Sequence, residues 1–270
     1  MYNAKFKTKE DYFKHLKDNK EILIAEKKIT IKYSDVTSFM PIINKNITKA
    51  ADGDLNKITI KVVINTTNIL DSHDDVHMRG IWNKTLKDKR KNYLLQEHQM
   101  TFDHIISSKV EPSVVSMKWA ELGIDFKGET QALIFDAEIE KQRNDYMFDQ
   151  YLKGYVDNHS VGMQYVNMFL CIDSEDRYFS EEKENWDKYI EEVVNENEAI
   201  NQGYFYAVTE AKLIEGSAVP IGSNYATPTL EVTENKSDEP PTGTHKTETE
   251  EAAICTYSMD YVLDALKHKI

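Results

Sequence analysis

The chain has 270 residues, 40% of them hydrophobic and 29% charged, which is typical of a soluble globular protein with a sizeable core. Its formal net charge of −13 argues against a general nucleic-acid-binding protein, because displacing counterions from phosphates requires a basic surface. The two cysteines, Cys171 and Cys255, lie far apart, which predicts a reducing compartment with no disulfide framework or zinc site. The charged N-terminus does not resemble a signal peptide, and no apolar run approaches the roughly 20 residues that cross a bilayer. We therefore expect a cytosolic protein without membrane contact.

The first half of the chain predicts one helix and several β segments. Residues 8–21 have the apolar spacing of a short amphipathic helix. "ILIAEKKITIKYSD", residues 22–35, predicts two short β segments, and "KITIKVVINTT" from residue 57 predicts a third. "GIWNKTLKDKRKN" from residue 80 is predicted to be helical, and "YLLQEHQM" from residue 93 to be extended.

In the second half, long extended segments alternate with helices. "QALIFDAEIE", residues 131–140, predicts a strand, and the next segment predicts a helix with Gly154 just past its last turn. A strand through Leu170, an acidic helical insertion at about 176–202 and an extended run from residue 203 follow. This order predicts an α+β fold with a mixed or barrel-like sheet flanked by helices.

The composition changes after Pro228, which predicts a domain boundary there. Residues 1–228 would form the main domain, with a helical N-terminal extension at about 1–21. Residues 229–251 contain seven carboxylates, two lysines and almost no core-forming side chains, so we expect a disordered acidic linker. Residues 252–270 predict a terminal amphipathic helix that either docks on a partner or packs on its own domain.

Two polar side chains have the chemistry of a nucleophile and its base. "HSVGMQYVNMFL" has one apolar face, formed by alternate residues: Val161, Met163, Tyr165 and Phe169. Ser160, Gly162 and Gln164 are predicted to lie on the other face. His98 ends the strand candidate "YLLQEH" on a partly polar face. A serine hydroxyl becomes nucleophilic when a histidine takes its proton and a third group holds the imidazole. Two solvated residues would give the same pattern.

Glu215 is a candidate for that third group. It shares strand parity with Leu213 and Val219 in "AKLIEGSAVP", and a carboxylate buried on that face requires a histidine or backbone donor. The alternative is a carboxylate at a strand end that reaches solvent. His159 is a rival base next to Ser160, but neighbours on a strand point to opposite faces, which favours packing or local hydrogen bonding.

The segment "DSHDDVH", residues 71–77, contains residue types that bind metals. Asp74, Asp75 and His77 could ligate a divalent ion. Their spacing matches no zinc or calcium pattern, so a polar turn before a helix is the favoured interpretation.

The order of four short motifs resembles that of the tailed-phage prohead serine proteases, distant relatives of the herpesvirus assemblin proteases. The motifs are "DSHDDVHMRGIWNKTL", "LLQEH" with His98, "HSVGM" with Ser160, and "LIEGSAVPIGSN" with Glu215. The resemblance covers about residues 58–226 and implies a compact mixed or antiparallel β-barrel flanked by helices.

The resemblance implies a serine endopeptidase of phage head maturation that needs no metal or organic cofactor. Ser160 would be the nucleophile, His98 the base and Glu215 the orienting group, with His159 or Glu210 as alternative third members. The substrates would be the phage scaffold protein, the major capsid protein and the protease itself, inside immature proheads in the host cytoplasm. A homodimer is possible, and no direct nucleic-acid binding is expected. Two alternatives remain: an inactive head scaffold or capsid-binding protein of the same fold, and a metal-dependent hydrolase using residues 71–77.

Overall fold

Two β-sheets and five α-helices make up the described part of the chain, residues 6–29, 46–48, 55–88 and 90–235 of a computed structural model. The strands are β1 (Asn46–Thr48), β2 (Lys57–Thr66), β3 (Asp75–His77), β4 (Leu94–Gln96), β5 (Ile105–Ser107), β6 (Lys109–Lys118), β7 (Glu129–Glu140), β8 (His159–Ile172), β9 (Tyr204–Ala218) and β10 (Thr229–Asn235). The α-helices are α1 (Lys9–Asp18), α2 (Lys20–Ile29), α3 (Asp145–Leu152), α4 (Ser180–Tyr189) and α5 (Glu196–Gln202). The α+β class is confirmed.

The strands pair as two open sheets. The first sheet has the order β1-β10-β2-β7-β6. In the second sheet β8 pairs with β9 along its whole length. β3 and β4 pair with two different stretches of β9, and β4 also pairs with β5. The described strands form no closed barrel, so the predicted barrel is replaced by two sheets that face each other across the core.

The main core lies between these sheets, and β9 approaches the first sheet closely at Gly216. The core contains alternate residues of β2, such as Ile60 and Ile64, and residues of β8 and β9, such as Val161. A Cβ on Gly216 would lie 2.6 Å from the ring of Phe135 and 2.9 Å from Ile64, so only glycine allows this approach. The close contact fixes the height of β9 above the first sheet.

The N-terminal residues form two helices, where the sequence predicted one helix and β segments. Thr8 caps α1 by accepting a hydrogen bond from the backbone N–H of Asp11 at 3.0 Å. The β prediction for residues 22–29 is wrong, since they belong to α2. The helix is favoured because Leu23 and Ile24 pack on the core and Lys27 reaches Asp75, contacts that local β propensity does not register. The rest of that prediction, residues 30–35, lies outside the described residues.

The helix predicted from residue 80 is also wrong. The segment forms turns and a three-residue 3₁₀ helix, Thr85–Lys87. Gly80 has a φ of +84°, and the Thr85 side chain accepts a hydrogen bond from Leu213 N at 3.1 Å. These features hold the segment as a loop against β9.

Most predicted elements of the second half are confirmed. The strand at 131–140 lies in β7, and Gly154 lies just past the end of α3 with a φ of +73°, the left-handed conformation common after a helix C-terminus. The acidic insertion forms α4, a short 3₁₀ helix and α5. Trp186 and Tyr189 of α4 pack with Cys171 on the outer face of β8.

The side-chain alternation of β8 changes where its register shifts. Pairing with β9 is irregular between Tyr165 and Asn167 and again before Met168. After these bulges Met168 joins the main core, while Phe169 stacks on Tyr189 of α4. The prediction that Phe169 shares a face with Val161 is therefore wrong, because a bulge inverts the alternation.

Residues 229–235 form a strand in place of the predicted linker. β10 lies between β1 and β2, with Val232 fully buried in the main core. Thr229 lies opposite Val62 and Val232 opposite Ile60, and a bulge at Leu230 brings both to the core face, although the segment is polar in composition. The first sheet therefore continues to Asn235, past the change in composition at Pro228. The remainder of the predicted linker and the terminal helix lie outside the described residues.

Among the described helices the longest have ten residues, and none has the length and apolar character of a membrane-spanning segment. Cys171 is a buried free cysteine, and Cys255 lies outside the described residues.

Candidate active site

His98 and Glu215 form a short contact at the end of β4. Nδ1 of His98 lies 2.6 Å from Oε1 of Glu215, and the side chains are 9% and 2% exposed. Such a contact between imidazole and carboxylate fixes the ring orientation and favours the tautomer with its proton on Nδ1. The alternative in which Glu215 reaches solvent is excluded by its burial.

Ser160 lies on the same face of the sheet as Glu215. In the antiparallel β8–β9 pair, Ser160 is opposite Ser217 and Gly162 is opposite Glu215. Directly opposite residues project to the same side, so all four share one face. Ser160 is 7% exposed. The register therefore brings Ser160, His98 and Glu215 to one region, from segments far apart in sequence.

Gly162 provides the space that the Glu215 carboxylate occupies. A Cβ built on Gly162 would lie 2.1 Å from Oε1 and 2.9 Å from Cδ of Glu215. Heavy atoms do not approach so closely, so any side chain at this position would displace the carboxylate.

Ser217 holds both members of the His98–Glu215 pair. Its hydroxyl donates to Oε2 of Glu215 at 2.6 Å and accepts from the backbone N–H of His98 at 3.1 Å. Ser217 is fully buried. Sequence reasoning did not select it, although its parity with Glu215, two residues earlier, is a signal that could have done so.

The backbone at the end of β4 is turned to direct His98 toward β9. Leu95 pairs with Ser217 in parallel, and the N–H of Glu97 then donates to the carbonyl of Ala218 at 2.9 Å. Glu97 and His98 have φ angles of +51° and +58°. Two consecutive non-glycine residues in the left-handed region are uncommon, and this conformation costs about 1–2 kcal/mol per residue.

A bulge at Ile214 gives Glu215 its orientation. β9 pairs Glu215 with Gly162 but Leu213 with Met163, so Ile214 is an extra residue. Leu213 faces the main core, whereas Glu215 faces the candidate site. The predicted shared parity of Glu215 and Leu213 is therefore wrong, although the expected histidine partner of a buried Glu215 is present.

The two alternative third members lie in other contacts. His159 is fully buried, with Nε2 3.0 Å from the Tyr151 hydroxyl and Nδ1 3.0 Å from the carbonyl of Thr227. The expectation that His159 serves local hydrogen bonding agrees with these contacts. Glu210 pairs with Lys84 at 2.9 Å on the surface.

The side chains of the acidic segment 71–77 form hydrogen bonds and an ion pair with residues of α2, β8 and β9. Asp75 accepts from Lys27 of α2 at 2.5 Å and from the Tyr165 hydroxyl at 2.9 Å. Asp74 instead accepts from the Tyr204 hydroxyl at 2.8 Å. In the described part of the chain, no group of three or more His, Cys, Asp or Glu side chains is arranged to hold a metal ion.

His77 is the buried histidine of this segment. Its Nδ1 is 2.9 Å from the Asn65 side-chain amide and its Nε2 is 3.2 Å from the Tyr165 hydroxyl. Burial lowers the pKa of His77 to about 4, against an opposing effect of Asp75. His77 is thus a neutral hydrogen-bonding residue at physiological pH.

The chain matches no protein-family model, no curated protein and no solved structure.

Proposed function

We propose that the protein is a serine endopeptidase in which Ser160 is the nucleophile, His98 the general base and Glu215 the group that orients His98. The observation that carries this proposal is the 2.6 Å contact between His98 Nδ1 and Glu215 Oε1 on the face of the sheet that bears Ser160. A buried imidazole–carboxylate pair beside a serine is the arrangement that nucleophilic acyl transfer requires.

The chemistry follows from the tautomer of His98. With the Nδ1 proton donated to Glu215, Nε2 is the basic nitrogen that receives the proton of the Ser160 hydroxyl as its oxygen attacks the scissile carbonyl. The imidazolium is stabilised by the Glu215 carboxylate and then protonates the leaving amine. Water then attacks the acyl-enzyme and gives its proton to His98. His98 passes the proton to the leaving Ser160 oxygen, which restores the serine.

We further propose that this endopeptidase acts in phage head maturation, inside immature proheads in the host cytoplasm. The support is the order of the four motifs along the chain, and the α+β fold is compatible with it. Its substrates would be segments of the scaffold protein and the major capsid protein, and its own chain. Cleavage requires substrate segments that can unfold locally.

The direct test is labelling of the purified full chain with a fluorophosphonate, which reacts with activated serines. We expect one label on Ser160, absent in Ser160→Ala and in His98→Ala. Ser223→Ala is the matched control, because Ser223 lines the same small cavity as Ser160 and should not affect labelling. Labelling that persists in Ser160→Ala would contradict the assignment of the nucleophile.

Co-expression with the neighbouring capsid and scaffold genes tests the biological role. We expect Ser160-dependent shortening of at least one of those proteins, and a slower but detectable reaction with Glu215→Gln. A folded wild-type protein that neither labels nor cleaves would support the inactive head protein of the same fold instead.

A further inference from the structure

An apolar pocket adjoins the His98–Glu215 pair on the side away from β8. It has a volume of about 250 Å³, includes Thr101, and is bordered by Glu215. Its apolar lining residues are Tyr93, Leu95, Met100, Phe102, Ile105 and Ile214. The volume is below the roughly 300–1,000 Å³ of pockets that hold a drug-sized ligand, and it suits one large side chain.

The outer rim of the apolar pocket is exposed. Phe102 is 83% exposed and Met100 is 55% exposed. Single exposed apolar residues are common, but two that border an apolar concavity form a patch of the kind that binds another molecule.

The loop that carries this rim is held in place. The N–H of Gln99 donates to the carbonyl of Gln96 at 3.0 Å, and the N–H of His104 donates to that of Thr101 at 3.1 Å. The Asn144 side chain, which also caps α3, donates to the carbonyl of Asp103 at 3.4 Å. The pocket is therefore largely formed before any ligand arrives, which lowers the entropic cost of binding.

The geometry points to a substrate side-chain subsite: the apolar pocket receives one large apolar side chain, such as Leu, Ile, Met or Phe, of the peptide being cleaved. This inference rests on the proposed function. Glu215 borders the pocket and lies opposite Gly162, two residues along β8 from Ser160. Two residues of extended chain span roughly 7 Å, and neighbouring strands lie about 5 Å apart, so Ser160 and Glu215 are separated by about 9 Å. An extended peptide with its scissile carbonyl at Ser160 therefore reaches the pocket within about three residues of the cleaved bond.

The first experiment is a cleavage profile of the full chain on peptides from a digested bacterial proteome, read by mass spectrometry. We expect one position within three residues of the cleaved bond to be enriched in large apolar residues. A pair of quenched fluorescent peptides that differ by Leu against Ala at that position should then differ in kcat/KM by about tenfold or more.

The second experiment places a charge on the pocket rim with Met100→Glu. The preference for Leu over Ala should fall from about tenfold to about twofold or less, because a carboxylate at the rim opposes burial of an apolar side chain. Ile200→Glu is the matched control, since Ile200 is 45% exposed on α5 and does not line the pocket. It should keep the wild-type preference.

The outcomes separate this inference from the proposed function. Fluorophosphonate labelling of Ser160 together with a profile that shows no apolar position overturns the subsite alone. An apolar preference that is unchanged in Met100→Glu also overturns it. Absence of both labelling and cleavage in the folded wild-type chain overturns the proposed function, and the subsite with it.

Discussion

Both carboxylate oxygens of Glu215 have hydrogen-bonding partners, and the lack of a side chain at Gly162 leaves room for the carboxylate. One oxygen contacts His98, the other accepts from Ser217, and Gly162 leaves the space in which the carboxylate lies. A buried carboxylate without partners costs several kcal/mol, so these contacts are also what allows its burial. The geometry of the candidate site therefore depends on two residues that take no part in the proposed proton transfers.

We predict that Gly162→Ala decreases cleavage by about a hundredfold or more, because the new methyl group moves the Glu215 carboxylate away from His98. The measurement is kcat/KM on the peptide identified by the cleavage profile. A double-mutant cycle supplies the control: in a Glu215→Ala background the space is vacant, so Gly162→Ala should add almost no further loss. Equal losses in both backgrounds would show that Gly162 acts in another way.

We predict that Ser217→Ala lowers both the free energy of unfolding, by about 1–3 kcal/mol, and the rate of cleavage. It leaves the His98 N–H and one Glu215 oxygen without their partner. Ser107→Ala is the matched control, because Ser107 is also buried and donates to the carbonyl of Glu138 at 2.6 Å, away from the site. Its urea midpoint should fall similarly while kcat remains at the wild-type value. A parallel loss of kcat in both variants would assign Ser217 a purely structural role.

Strand β10 is an interior strand of the first sheet, between β1 and β2. Its residues pair with β2 on one side and β1 on the other, and Thr229 donates from its hydroxyl to the carbonyl of Val156 at 2.8 Å. The segment is polar in composition but pairs within the sheet. A chain that ends before it would leave β2 with an unpaired edge and the core without Val232.

We predict that truncation after Pro228 destabilises the fold strongly, whereas truncation after Ser237 leaves its thermal midpoint within a few degrees of wild type. The first truncation removes a buried strand, and the second removes none of the described elements. The two truncated chains should be compared by circular dichroism melting. If both melt at the wild-type temperature, β10 does not contribute to the stability of the sheet.

The elements show what the sequence could predict and why. The long strands β7, β8 and β9 and the helix α3 were predicted because alternation and capping are local signals. The strand β6 was missed because it is a half-exposed edge strand that contains Pro112, so it lacks a buried face. The bulges of β8 and β9 are set by pairing across the sheet. Their effects on Phe169 and Glu215 therefore could not be deduced from either strand alone.

For the candidate site, the sequence supplied the residue types but not their arrangement. His98, Ser160 and Glu215 were selected from motifs, and the contact between His98 and Glu215 is now described. Their catalytic roles stay a prediction. The roles of Ser217 and Gly162 depend on the strand register, which is a property of the folded sheet.

Acid stability is a property of the whole molecule to which His77 contributes. The pKa of His77 is about 4 in the folded protein and 6.5 as its ordinary value, so between these values the unfolded chain binds the proton more strongly. The stability that neutral His77 contributes is therefore fully present above pH 6.5 and is lost as the pH falls toward 4. The shift corresponds to about 3 kcal/mol, of which about 2 kcal/mol is lost by pH 5.

We predict that the fall in the free energy of unfolding between pH 7 and pH 5 is smaller by about 2 kcal/mol in His77→Gln than in the wild type. Glutamine retains an amide donor and acceptor for the neighbours of His77 but does not titrate. Urea denaturation at the two pH values measures this difference, and carboxylates that titrate in both proteins cancel in the comparison. Identical pH dependence in the two proteins would contradict the assignment to His77.

The position of β9 after both β4 and β8 in the chain bears on when the candidate site can assemble during synthesis. Glu215 is 117 residues beyond its partner His98, and Ser217, which holds them both, comes later still. A ribosome must translate past Ser217, and that segment must leave the exit tunnel, before the pair can assemble. Under the proposed function, incomplete translation products that carry Ser160 and His98 but not yet Ser217 would therefore be inert, which would protect the proteins made beside them.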